Sequence, residues 1–239
     1  MIAGDVSKAL RAVATVERAK AGRWFFKTGI GEYGEGDQFL GVTVPDQRKI
    51  AKQFKDLPLT EIEKLITSSW HEERLTGIFI LIDQFKRGDD AIKKAIYDFY
   101  ISHTKYVNNW DLVDSSAGYI VGTWLDGQPD KMKVLTKLAK SKLLWERRIA
   151  MISTLYFIVK KESVDEALTI IEILKNDNHD LIQKAVGWML REVGKRVDEE
   201  VLTNFLDQNA ATLPRTTLRY AIEKLTPSQR RHYLGLKDV

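Results

Sequence analysis

Four long apolar helices recur at a nearly constant spacing, and this repeat restricts the possible folds more than any other feature of the chain. The helices are predicted to begin near His71, Asn108, Trp145 and Leu181, which are 37, 37 and 36 residues apart. A shorter and more charged helix is predicted between each of them and the next. Helix pairs with a period of about 40 residues are typical of HEAT-like and armadillo repeats. The sequence therefore predicts an all-α superhelix, or solenoid, of HEAT-like helical repeats with a concave inner face.

The segment from Thr28 to Val44 is the exception to this helical pattern. Its glycines match the nucleotide-binding pattern G-x-G-x-x-G at Gly29, Gly31 and Gly34. No helix is predicted to begin at the third glycine, and the three carboxylates of the segment would repel a pyrophosphate. We therefore expect a flexible loop, and we expect the aromatic run before it, residues 24–26, to pack in the interior. The predicted organisation is a single HEAT-like repeat domain over 1–239, with an N-terminal helix and Gly-rich loop over 1–44 and repeats over 45–239.

Composition excludes several classes of chemistry. The chain has no cysteine, so disulfides, thiolate metal sites and a cysteine nucleophile are excluded. The four histidines show no ligand spacing, so neither a metal nor a cofactor is expected. The N-terminus lacks the apolar core of a signal peptide, and no apolar run reaches the roughly 18 residues that a membrane helix needs. A cytoplasmic monomer without membrane contact is expected.

Positive charge is concentrated in the C-terminal half. The net charge is +4 and the pI is about 9.0. Residues 131–148 contain five lysines and two arginines against one glutamate. This distribution is consistent with a phosphate-binding track in a concave basic groove, and equally with a solvated helix face.

Trp110 and Asp114 are an unusual pair within an apolar helix predicted over 106–125. They are four residues apart, so they share one helix face. A carboxylate is costly to bury unless it is paired, and most such pairs are structural. The repeat spacing places Asp114, Arg148 and Trp188 at nearby positions of three adjacent repeats, so we expect them to line one surface.

Four sequence blocks carry a resemblance to a known family. They are FLGVTVPDQRKIAK (39–52), NNWDLVDSSA (108–117), WERRIA (145–150) and LIQKAVGWMLREVGK (181–195). In these blocks the chain resembles the AlkD-like DNA alkylation repair glycosylases from about Ala21 to Leu225. The resemblance implies HEAT-like repeats that hold duplex DNA with alkylated bases in a concave groove. It also implies hydrolysis of the N-glycosidic bond of N3- and N7-alkylated purines.

The resemblance also implies roles for particular residues. Trp110 and Asp114 match the family's catalytic tryptophan and aspartate, and Trp188 matches a second tryptophan beside the lesion. Arg148 matches a groove arginine, with Arg147 as a competitor for that role. Arg191 matches a basic DNA contact of the family that lies near this second tryptophan. The Gly-rich acidic insert GIGEYGEGD departs from the pattern and is similar to a related subfamily, where it would weaken phosphate binding or reshape the groove entrance.

The chemistry is compatible with these residues. A cationic alkylated purine is already a good leaving group, so one carboxylate that stabilises positive charge on the sugar is sufficient. Asp114 is expected to supply it, with Arg148, Lys184 and Arg191 on phosphates. Two alternatives remain open: a non-catalytic DNA-binding repeat protein that recognises damaged or branched DNA, and a protein-interaction scaffold. Each residue also has a purely structural interpretation, such as an ion pair for Asp114.

Overall fold

Helices account for nearly all regular structure in this protein. A computed structural model describes residues 1–236, and the only β feature in that range is an isolated bridge between Gln38 and Trp70. The predicted all-α fold of helical repeats is confirmed. The concave basic groove stays a prediction. None of the helices within the described range is both long enough and apolar enough to cross a membrane.

The chain divides into two compact units, one of residues 1–116 and one from Ala117 onward. The first contains α1 (Ala3–Ala12), α2 (Val16–Phe25), α3 (Val44–Gln53), α4 (Leu59–Ile66), α5 (His71–Arg87), α6 (Asp90–Ser102), a 3-10 turn (Thr104–Tyr106) and most of α7 (Trp110–Ala117). The second contains a π-helical segment (Gly118–Gly122), α8 (Thr123–Leu125), α9 (Lys131–Ala139), α10 (Leu144–Ser153), α11 (Leu155–Lys161), α12 (Asp165–Leu174), α13 (Asp180–Arg196), α14 (Glu199–Asn209), α15 (Arg215–Ala221) and α16 (Pro227–Gly235). The organisation as a single domain stays a prediction.

The repeated helices lie close to their predicted positions. They begin at His71, Trp110, Leu144 and Asp180. The helix expected over 106–125 begins four residues later, at Trp110, because a 3-10 turn occupies Thr104–Tyr106, and it continues through the π-helical segment to Leu125. Trp110 is therefore the first residue of a helix rather than a residue within one.

The first unit is built around α5. Most of this helix is buried, and α3, α4 and α6 pack against it. The loop between α2 and α3 is held by Glu72 of α5, whose buried carboxylate accepts hydrogen bonds from the backbone amides of Leu40, Gly41 and Val42 at 2.9, 2.7 and 3.2 Å. Gly41 has a positive φ of 87°, and a Cβ there would lie 2.1 Å from the carbonyl oxygen of Thr15. This position therefore requires glycine.

The second unit is built around α13. Its apolar residues are buried against α10, α14 and α15. The prolines mark helix starts as expected from the fixed φ of the residue, since Pro214 immediately precedes α15 and Pro227 opens α16.

Candidate active site and nucleic-acid contacts

Trp110 is held by a stack of aromatic side chains. Phe26 lies parallel to its indole at a ring distance of 5.4 Å, and Phe25 meets it edge-on at 5.8 Å. Phe26 also contacts Phe39 at 5.2 Å and His71 at 4.7 Å. The indole is half-buried, so one part is fixed by the stack and another part remains accessible.

Asp114 lies one helical turn after Trp110 and is also half-buried. Its charge acts on Tyr100, which is buried and shares a 2.8 Å hydrogen bond with Ser116. Burial raises the pKa of Tyr100, and the charge of Asp114 raises it further. The pair Trp110 and Asp114 thus shares a face of α7, as predicted, and neither side chain is fully buried.

A charged cluster joins the start of α7 to α5 and to the end of the Gly-rich insert. Nδ1 of His71 is 3.2 Å from Asp37, and Nε2 is 2.8 Å from Asp111. Arg74 donates to the other oxygen of Asp37 at 2.6 Å, and Asn109 donates to Asp37 at 3.3 Å. His71 is almost fully buried. Five polar side chains from three segments therefore form one connected network.

His71 is a positively charged imidazolium at neutral pH. Burial lowers its pKa, but the Asp111 carboxylate and the hydrogen bonds to both carboxylates raise it more, to about 9. For Asp37, burial raises the pKa. The hydrogen bond to His71 and the charge of Arg74 lower it more, so the pKa of Asp37 lies below its usual value. The start of α7 is thus connected to α5 by a buried ionic network.

No sequence motif marks this cluster. Asp37 and Asp111 lie 34 and 40 residues from His71, so no local spacing marks them. The only signal is a histidine at the start of a repeat helix. The absence of metal-ligand spacing around this histidine gives no information about ion pairs.

The acidic insert is more integrated into the fold than its composition suggests. Glu32 accepts a hydrogen bond from the amide of Gly29, and Glu35 accepts one from Gly31, both at 2.8 Å. The Asp37 side chain is only 5% exposed. Its carboxylate therefore supports the base of α7 and does not face solvent. The expected effect of the insert on phosphate binding stays a prediction.

The two candidate arginines of α10 bind groups of their own unit. The side chain of Arg148 is buried and donates to the carbonyl oxygen of Leu181 at the start of α13. Arg147 donates to Asp177 at 2.7 Å and to the carbonyl of Ser141 at 3.2 Å. Arg148 thus connects α10 to α13, and its contact with a DNA phosphate stays a prediction.

The candidates on α13 share one helix face. Lys184, Trp188 and Arg191 are spaced by four and three residues. Lys184 pairs with Asp180 at 2.8 Å, Arg191 pairs with Glu223, and Nε1 of Trp188 donates to Glu192 at 3.2 Å. Trp188 is half-buried, as Trp110 is.

Residues 131–148 include one lysine in an ion pair and four lysines that are exposed. Lys131 pairs with Glu166. The exposed lysines of this stretch are Lys133, Lys137, Lys140 and Lys142. Within residues 1–236, no group of three or more histidine or acidic side chains is arranged to hold a metal ion.

Comparison with known proteins identifies the family. The model of a family described as DNA alkylation repair enzyme matches residues 6–225. The chain belongs to the DNA alkylation repair enzyme family. A solved structure of a predicted DNA alkylation repair enzyme from Enterococcus faecalis has a similar fold, with a TM-score of 0.70 and 19% identity over 90% of this chain and 97% of that one. No curated protein matches the chain.

Membership in the DNA alkylation repair enzyme family confirms the resemblance carried by the four sequence blocks and supports a role in DNA repair. The range matched by the DNA alkylation repair family includes the candidates of both units and the Gly-rich insert. At 19% identity, the Enterococcus faecalis structure shows that the fold is shared and does not identify the reaction.

Proposed function

We propose that this protein is a monofunctional DNA glycosylase that hydrolyses the N-glycosidic bond of cationic N3- and N7-alkylated purines in duplex DNA. The observation that carries the proposal is the half-buried residue Asp114, one turn from an indole held by an aromatic stack, in a member of the DNA alkylation repair family. The indole and the carboxylate are neighbours on one helix face, so one deoxyribose can contact both.

Asp114 is assigned the chemical role. When the C1′–N bond breaks, its electron pair goes to the purine nitrogen and neutralises the cationic base, which leaves without needing a proton. Positive charge then develops on the deoxyribose, and a nearby carboxylate stabilises it. Water adds its oxygen to C1′ and gives a proton to Asp114, so the products are free alkylpurine and an abasic sugar.

The remaining candidates are assigned to binding. Trp110 and Trp188 are proposed to contact the sugar and the cationic base, with cation–π contacts of about 0.5–2 kcal/mol each. Lys184 and Arg191 are proposed to exchange their carboxylate partners for phosphates, and Arg147 is proposed as a further phosphate contact. Arg148 is proposed to act mainly by holding the start of α13, through the Leu181 carbonyl.

The test is release of methylated purine from an alkylated duplex by the wild type and by Asp114→Asn. We expect the variant to lose about 10²–10³-fold in rate, since this is the usual cost of removing one transition-state electrostatic contact. Asp98→Asn, at an exposed position of α6, makes the same charge change and is expected to keep full activity. Both variants should bind duplex DNA equally well.

Three outcomes discriminate among the functions. Full activity of Asp114→Asn would refute the catalytic assignment. Salt-dependent duplex binding by the wild type, with no base released from any alkylated substrate, would support the non-catalytic DNA-binding alternative. No affinity for DNA even at low salt would support a protein-interaction scaffold.

A further inference from the structure

One face of α2 combines an exposed aromatic ring with three cations. Lys20, Arg23 and Trp24 follow the spacing i, i+3 and i+4, which places them along one side of the helix, and Lys27 lies just past its C-terminal end with a φ of 50°. Trp24 is 84% exposed. The prediction that the aromatic run packs in the interior holds for Phe26 and is wrong for Trp24. A tryptophan this exposed contributes little to packing in the first unit.

A surface cavity of about 740 Å³ lies beside this face. Its walls are α2 and the start of the Gly-rich insert: Lys20, Arg23, Trp24, Phe25, Lys27, Thr28, Gly29 and Glu32. Three cations therefore face one carboxylate, and that carboxylate already accepts a hydrogen bond from the amide of Gly29. The cavity thus carries a net positive charge around an exposed indole.

The cavity is connected to Trp110 by one shared side chain. Phe25 lines the cavity, is 56% exposed, and meets the indole of Trp110 edge-on at 5.8 Å. A ligand in the cavity would therefore lie one aromatic ring away from the candidate catalytic helix.

We propose that this face of α2 binds a DNA strand with an unstacked base, which stacks on Trp24 while Lys20, Arg23 and Lys27 hold the adjacent phosphates. Aromatic rings interleaved with cations are the usual means of binding single-stranded nucleic acid, because every base has a stacking face and every nucleotide has a phosphate. The inference rests on the proposed function for its choice of DNA as the partner. It deepens that function by adding a preference for DNA with locally unpaired bases.

The first test measures binding of the full chain to an unmodified single-stranded oligothymidylate and to an intact duplex of the same length, by fluorescence anisotropy. We expect Trp24→Ala and Trp24→Leu to weaken single-strand binding by about tenfold, since stacking is lost in both. Trp24→Phe keeps an aromatic face and should remain close to the wild type. Affinity for the intact duplex should change little in all three variants.

The second test concerns the cations. Replacing Lys20, Arg23 and Lys27 together by alanine should make the slope of log affinity against log salt for single-strand binding shallower by about 2. Each lost phosphate contact accounts for roughly 0.7 of this slope. The matched control replaces exposed lysines on other helices of the same unit, Lys52, Lys64 and Lys94, and should leave the slope unchanged.

Several results would overturn the proposal. If Trp24→Leu bound single strands as tightly as the wild type, the contact would be apolar and not stacking. If every variant bound single strands normally, while Trp24→Ala lost binding to vesicles containing phosphatidylserine, the face would be a membrane contact. If Trp24→Ala lost binding to an oligoglutamate peptide instead, the partner would be an acidic protein.

Unmodified DNA keeps this test separate from the excision test. Base release that depends on Asp114, together with normal binding by the Trp24 variants, would refute only the α2 site. Weakened single-strand binding by the Trp24 variants, in a protein that releases no alkylated base, would refute only the glycosylase proposal.

Discussion

His71 illustrates how one residue positions the candidate catalytic helix. Its imidazolium lies between Asp37 of the Gly-rich insert and Asp111 of α7, with Arg74 and Asn109 on the same network. A buried charge without its partner is strongly destabilising, whereas a fully paired network is rigid. The network therefore connects the insert to the first turn of α7, which carries Trp110 and Asp111.

This network predicts a stability that depends on pH. The folded-state pKa of His71 is about 9, above its ordinary value of 6.5. The associated stabilisation, about 3 kcal/mol, is thus fully present below pH 6.5 and is lost as the pH rises through 9. We expect the free energy of unfolding, measured with urea, to fall by about that amount between pH 6 and pH 9.5.

Two substitutions check the source of this dependence. His71→Gln cannot hold the extra proton, so its stability should be lower at pH 6 and should change much less up to pH 9.5. The exposed His232→Gln should behave as the wild type does. An equally steep fall in His71→Gln would mean that another group is responsible.

At the scale of elements, the π-helical segment shows how closely the helices of the second unit approach each other. A Cβ on Gly122 would lie 2.4 Å from the carbonyl oxygen of Ser153 and 2.7 Å from Cβ of Tyr156. A Cβ on Gly118 would meet only the carbonyl of Ile152, at the ordinary distance of 3.6 Å. Gly122 is therefore needed for close packing against the end of α10 and the start of α11, whereas Gly118 is not.

The two glycines form a matched pair for measurement. We expect Gly122→Ala to destabilise the protein by about 1–3 kcal/mol, the usual cost of overpacking a close contact. Gly118→Ala should be neutral or slightly stabilising, because alanine favours helix and meets no clash. Thermal or urea unfolding of the two variants would show this difference, and equal destabilisation of both would contradict the packing argument.

At the scale of the whole molecule, charge is the property most relevant to a DNA partner. The net charge of +4 is modest, but α9 and the residues after it expose Lys133, Lys137, Lys140 and Lys142. Many other cations are already paired, as Lys184 and Arg191 are on α13. The unpaired lysines near α9 are therefore expected to supply much of the nonspecific affinity for duplex DNA.

Salt dependence measures this contribution directly. Replacing Lys133, Lys137 and Lys140 together by alanine should make the slope of log affinity against log salt shallower by about 2–3 for duplex DNA, at roughly 0.9 per phosphate. The control replaces Lys160, Lys224 and Arg231, three exposed cations elsewhere in the same unit. An equal change in both variants would show that only net charge matters and that no particular track exists.

The helical repeat and the family both follow from the order of the residues alone. Apolar periodicity records which helix faces are buried, so the starts of α5, α10 and α13 were predicted to within one residue. The four sequence blocks identified the DNA alkylation repair enzyme family, which the family model confirms. Both signals are local, since they depend on neighbouring residues along the chain.

Tertiary structure decided which charged and aromatic side chains have partners. Asp37 was interpreted as a repelling surface charge, yet it is buried against His71 and Arg74. Trp24, predicted to pack, is exposed, and Arg148 is buried and bonded to the Leu181 carbonyl. The contacts of Asp37 and Arg148 join residues more than 30 positions apart, which no local pattern records, because burial and pairing are set by the packing of whole helices.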